Sequence, residues 1–148
     1  MILLHLETKP MPTTVDKTIN PLGINPKNYP YRNNLIELIS VSGTNGFPLD
    51  DIVEIKTAIP LTESMELINK ADKIICIDSY LQHLCWYMGK KAVVIFGQSN
   101  PDIFGHKENI NLLRDVRYLR KHQFDKWELC PYIEKAFVLP EQVIKAIA

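Results

Sequence analysis

The stretch 73–101, KIICIDSYLQHLCWYMGKKAVVIFGQSNP, constrains this chain more than any other. Its two apolar runs, 74–77 and 92–96, are too short for helices and rich in β-branched residues, which marks them as buried strands. Between them Leu81, Leu84, Cys85 and Met88 fall at i, i+3, i+4 and i+7, the stripe of an amphipathic helix. Gly89 follows the last periodic residue and stops that helix, and Lys90-Lys91 leads into the second strand. Strand, helix and strand in so few residues form a βαβ unit, so the strands are expected to be parallel with a right-handed crossover. Such units place ligands at the carboxyl ends of their strands, which here carry Asp78-Ser79 and Gly97-Gln98-Ser99.

The rest of the chain sets the bounds. Its 148 residues predict one α/β domain over 1–148, long enough to bury about 68–70% of the surface exposed when unfolded. Lys plus Arg and Asp plus Glu both number 17, so there is no basic footprint for nucleic acid. No apolar run approaches the roughly 18 residues of a membrane span, and MILLHLETKP lacks the basic start and long apolar core of a signal peptide. The three cysteines have no CxxC spacing, and Cys76 and Cys85 fall on apolar faces where small hydrophobes belong. A reduced, cytoplasmic protein is expected.

Residues 1–6 read as a first strand. Residues 7–34 hold Pro10, Pro12, Pro21, Pro26 and Pro30 among Asn, Thr and Gly, which predicts a long irregular connection. Short strands are expected at 51–55 and, ahead of Gly43-Thr44-Asn45-Gly46, at 35–41, although a short helix also fits the latter. Thr62 reads as an N-cap, with Glu63 and Glu66 in the first turn and Leu61, Met65 and Ile68 as the seam of a helix running to about Ala71. Then follow a turn at Pro101, a strand at 110–113, an aromatic-basic tract at 118–127 and a turn at Cys130-Pro131. Pro140 opens a last helix with Val143, Ile144 and Ile147 inward. The architecture is a sandwich of helices around a mostly parallel sheet.

Three places carry chemistry. Asp78-Ser79 ends a strand and opens a helix, whose first amides, at Ser79, Tyr80 and Leu81, lack intrahelical partners. With the helix dipole these suit a phosphate, and Asp78 can accept from sugar hydroxyls; the alternative is a plain N-cap. His83, about one turn on, is within reach of the same ligand or is a surface residue. No second His or Cys stands at ligand spacing from it, so no metal is expected. At Gly97-Gln98-Ser99, Gly97 admits close backbone approach and the next two offer donors, unless the segment is an ordinary turn. GxGxxG and GxxxxGK[ST] are both absent.

Together these residues resemble the donor-binding half of glycosyltransferase family 9, the heptosyltransferases. That family shows a strand, D-[S/T]-G-x-x-H on a helix, and a strand ending F-G-x-[T/S]-x-P. This chain has Asp78-Ser79-Tyr80-Leu81-Gln82-His83 and Phe96-Gly97-Gln98-Ser99-Asn100-Pro101. Upstream, Lys56-Thr57 with 61–72 is similar to the family's G-K-T-S-L-x-E-L-x-x-L-I-x-x-A-D, and Lys27-Asn28-Tyr29-Pro30 resembles its K-x-W-P. The resemblance implies a single Rossmann-like domain equivalent to the C-terminal half of a GT-B enzyme. It also implies Asp78 on the sugar of a nucleotide-sugar donor, Ser79 and the neighbouring amides on its phosphates with Tyr80 and His83 alongside, Gly97, Gln98 and Ser99 opposite, and Lys27 as a cation. Transfer would be inverting, from an ADP- or similar donor, with neither metal nor cofactor.

Three departures from the family matter. Tyr80 stands where the family has glycine, and 31–52 is short for the usual helix, strand and glycine-rich loop. The fold also needs a second α/β domain with the acceptor site, expected from a partner or a homo-oligomer. Two functions therefore stand side by side: half of a sugar-transferring enzyme, or a non-catalytic nucleotide-sugar-binding or protein-interaction module derived from it. In the latter, Tyr118, Arg120, His122, Phe124 and Trp127 form either a partner surface or a packed edge. A receiver-type signalling domain fits less well, because His5-Leu6-Glu7-Thr8 supplies only one acid after the first strand.

Overall fold

A computed structural model describes residues 2–5, 59–124 and 133–148. The expectations for 7–34, 35–41, 51–55, Trp127 and Cys130-Pro131, and the candidate Lys27, lie outside the described residues. The described chain is α/β and Rossmann-like: β1 (Ile2–His5), α1 (Leu61–Lys70), β2 (Lys73–Ile77), α2 (Tyr80–Tyr87), β3 (Val93–Phe96), α3 (Pro101–Phe104), β4 (Ile110–Leu113) and α4 (Pro140–Ile147). The four strands form one sheet in the order β1-β2-β3-β4, every neighbouring pair parallel.

Both faces of that sheet are covered, which is why its strands read as unbroken apolar runs. Ile75, Val93 and Ile95 pack with Val138, Val143 and Ile147 beneath α4. Their neighbours Ile74, Cys76, Val94 and Phe96 point the other way, against Ile68 of α1 and Leu81 and Cys85 of α2. Each such Ile, Val or Phe contributes about 1.5–3 kcal/mol when fully buried.

The helix ends follow from single residues. Gly89 adopts φ 71 after α2, and the N–H groups of Gly89 and Lys90 donate to Trp86 and Cys85 carbonyls at 3.0 and 2.8 Å. This left-handed cap turns the chain into β3. The start of α1 differs from expectation: Pro60, not Thr62, is the N-cap residue. Proline favours an extended residue before it and suits a helix boundary, so the helix begins directly after it. The seam consequently shifts to buried Ser64 and Ile68, leaving Leu61 exposed. At Pro101 a one-turn helix replaces the expected turn, because the Asn100 side chain accepts from the Asp102 N–H at 2.9 Å and Pro101 fills the first helical position.

Candidate functional site

β2 and β3 are neighbours, and Ile77 pairs with Ile95. Asp78-Ser79 and Gly97-Gln98 therefore leave the sheet side by side at its carboxyl edge. Ser79 is the N-cap residue of α2, extended, with no capping bond from its side chain. The Asp78 carboxylate accepts from the side-chain amide of Gln82 at 2.5 Å. Neither side chain thus performs the capping role that the sequence left open, and the half-buried Asp78 stays at the mouth of the helix.

Gln82 is the residue that sequence reasoning missed. It is fully buried, and its Oε1 has no hydrogen-bond partner. An orphaned buried acceptor costs about 1–3 kcal/mol. The available signal was the i, i+4 spacing from Asp78, at which Gln and Asp side chains meet on a helix. Ser79-Tyr80-Leu81-Gln82 also has the spacing of a capping box, but the glutamine is drawn to the carboxylate instead.

His83 is exposed, and its Nδ1 lies 2.7 Å from Nε2 of His106, in the connection between α3 and β4. The His106 ring stacks on Trp86 at 4.5 Å and 8°. Partial burial and then the neighbouring His106 hold the His83 pKa below its ordinary value, against the opposing pull of Asp78. Tyr80 is half exposed, and its hydroxyl lies 3.3 Å from Ser64 Oγ, tying the ring to α1.

Across the corner, Gly97 is buried, and a Cβ there would lie 2.7 Å from the Phe137 ring, which fills that space. The Gln98 carbonyl accepts from the Arg120 N–H at 2.9 Å and from Gln123 Nε2 at 3.1 Å. The Asn100 N–H donates to Gln123 Oε1 at 2.8 Å. Ser99 is buried behind this lacing. In the aromatic-basic tract, then, Arg120 and Gln123 pin the described residues 118–124 over the second strand end, while Lys121, His122 and Phe124 stay exposed.

Residues 44–129, more than half of the chain, match glycosyltransferase family 9 (heptosyltransferase). The chain belongs to glycosyltransferase family 9. No curated protein and no solved structure matches it. The family 9 match contains Asp78, Ser79, Tyr80, His83, Gly97, Gln98 and Ser99, and it begins after Lys27. It also runs past His106, so family 9 likeness extends through the tract that closes over the 98–100 turn. Family 9 membership makes the function glycosyltransferase-like, with a nucleotide sugar as the class of donor. Among the described residues no three His, Cys, Asp or Glu converge as metal ligands, and no helix is long and apolar enough to cross a membrane.

Proposed function

We propose that this family 9 chain is the donor-binding half of a heptosyltransferase-like GT-B glycosyltransferase. Asp78 accepts hydrogen bonds from the sugar of the nucleotide-activated donor. Ser79 and the first turn of α2 face the diphosphate, with His83 and Tyr80 alongside and Gly97, Gln98 and Ser99 forming the opposite corner. Lys27 supplies a further cation. The observation behind this reading is the Asp78 carboxylate, held by Gln82 beside the glycine turn and not spent on capping. Transfer to an acceptor takes place against a second α/β domain outside these residues, from a partner or a homo-oligomer, and requires no metal. The buried free thiols of Cys76 and Cys85 support a reducing, cytoplasmic setting.

Tyr80 favours a second reading, a binding module without turnover, because its ring adds bulk where the family has glycine. Thermal unfolding with ADP-, UDP- and GDP-sugars, with and without EDTA, separates the possibilities. Protection by one donor that survives EDTA and is lost in Asp78→Ala supports the donor site. Protection without sugar transfer to any acceptor domain favours the module. No protection by any donor refutes both.

A further inference from the structure

We propose that Ser64 and Tyr80 are a compensated pair: Ser64 is a positioning residue that docks the Tyr80 ring on α1, and the docked ring is a specificity-determining wall beside Asp78. The pairing stands on the contact itself, whereas its part in specificity rests on the proposed donor site.

Three described segments, 61–72, 78–83 and 96–101, follow the family 9 pattern and break it at two fixed positions. Ser64 stands where that pattern has leucine, and Tyr80 where it has glycine. The two lie 16 positions apart in the chain, yet the Tyr80 hydroxyl is 3.3 Å from Ser64 Oγ. A small residue has replaced a large one on α1, and a large residue a small one where α2 begins. The two departures touch.

The sheet explains why they meet. α1 runs into β2 and α2 runs out of it, and both helices pack on the same face. Both therefore begin at the carboxyl edge, next to Asp78. Ser64 is 3% exposed and lies one turn before Ile68 on the inward seam of α1, a place for an apolar side chain. The 3.3 Å between its oxygen and the Tyr80 hydroxyl leaves no room for a further carbon, so leucine at 64 displaces the ring. Glycine at 80 would instead take a partner from a buried hydroxyl. The bond is longer than O–H···O bonds usually are, so it adds little energy; what it fixes is direction.

With its tip on α1 the ring cannot swing across Asp78-Ser79, and it keeps a half-exposed surface beside them. An aromatic wall next to an accepting carboxylate suits a sugar, with C–H groups against the ring and hydroxyls to Asp78. Residue 80 should therefore read the sugar of the donor and not its nucleotide.

Urea unfolding of Ser64→Leu, Tyr80→Gly and the double variant tests the pairing without any ligand. Ser64→Leu should lower the midpoint, and the double variant should be more stable than the two separate losses would make it. The helix-propensity cost of glycine adds in such a cycle and cancels from the coupling. Ser64→Val takes the place of Ser64→Leu if leucine prevents folding. Additive losses overturn the pair.

Calorimetric titration reads the specificity with two series of probes: UDP-glucose, UDP-galactose and UDP-N-acetylglucosamine, then ADP-, UDP- and GDP-glucose. Tyr80→Gly should shift the relative affinities of the sugars by about tenfold and leave the order of the nucleotides unchanged. Ser64→Leu should weaken the preferred donor by about tenfold, and the double variant should recover it. An unchanged sugar order in folded Tyr80→Gly overturns the wall while the donor reading stands. Binding only after Tyr80 is removed also overturns it, because the ring is then a plug. No binding by the parent or any variant overturns the wall and the donor reading together, and coupling in urea then marks the pair as structural.

Discussion

Replacing Gly97 with alanine tests the turn at the heart of the site. The added methyl would stand 2.7, 2.9 and 3.2 Å from Cε1, Cζ and Cδ1 of Phe137. The first two are closer than side-chain carbons tolerate, so the ring must move. Phe137 packs against the cluster of Ile75, Ile95 and Val143 beneath α4, so that movement spreads into the core. Overpacking of this kind costs about 1–3 kcal/mol, while stiffening the unfolded chain by Gly→Ala returns about 0.4–1. The net expectation is a loss of roughly 1–2 kcal/mol, or about 2–8 °C in Tm for a chain of this size. Urea unfolding of Gly97→Ala, Phe137→Leu and the double variant measures it. The double variant should recover part of the loss, with a coupling of about 0.5 kcal/mol or more. A single variant as stable as the parent, or no coupling, refutes the packing account. Donor protection in the double variant then isolates any role of Gly97 in ligand approach, since the clash is relieved there while the methyl remains.

Gln82→Met should separate positioning from stability. It removes a bond to a carboxylate, about 1.5–3 kcal/mol, and an orphaned acceptor that costs about 1–3, so the two largely offset and urea unfolding should change by no more than about 2 kcal/mol while donor protection falls. Undiminished protection would refute the clamp on Asp78. Burial pushes the Cys76 thiol far above its ordinary value and the Cys85 thiol up to about 11. At pH 8 both should therefore stay protonated and resist a thiol reagent until urea is added, when all three cysteines of the chain react. Rapid labelling of Cys76 or Cys85 in the native protein would contradict their burial.

The elements most legible in the sequence were those fixed by local pattern. The runs around Ile75 and Val94 became strands because β-branched residues buried on both faces leave few other options, whereas the half-buried run at Ile110–Leu113 joins the sheet beside β3. Leu81 and Cys85 declared the inner face of α2, and Gly89 its end. Misread positions turn on one-residue competition, as where Pro60 displaces Thr62 at the start of α1. The less legible part was built across long separations. Nothing local ties His83 to His106, 23 positions on, or Asn100 to Gln123 at the same distance. Gln82 was obscured for another reason: a glutamine on a helix reads as solvent-facing, and only the sheet and Asp78 together draw it inward.

The order of the strands explains why those long-range contacts matter. Open parallel sheets bind ligands where the strand order reverses, since helices diverge to opposite faces there and open a crevice. Among the described strands the order is β1-β2-β3-β4, and α1, α2 and Phe104 of α3 all lie against one face. No reversal falls between β2 and β3, so the paired strand ends alone would present a shallow edge. Walls have to come from what folds over that edge. On one side Tyr80 is tied to α1 through Ser64, and His106 is stacked on Trp86. On the other, Arg120 and Gln123 hold the 118–124 segment against Gln98 and Asn100 with three hydrogen bonds of 2.8–3.1 Å. In the donor-binding proposal, the pair Asp78-Ser79 is thus only the floor of the site. Its depth depends on side chains that the motif does not contain.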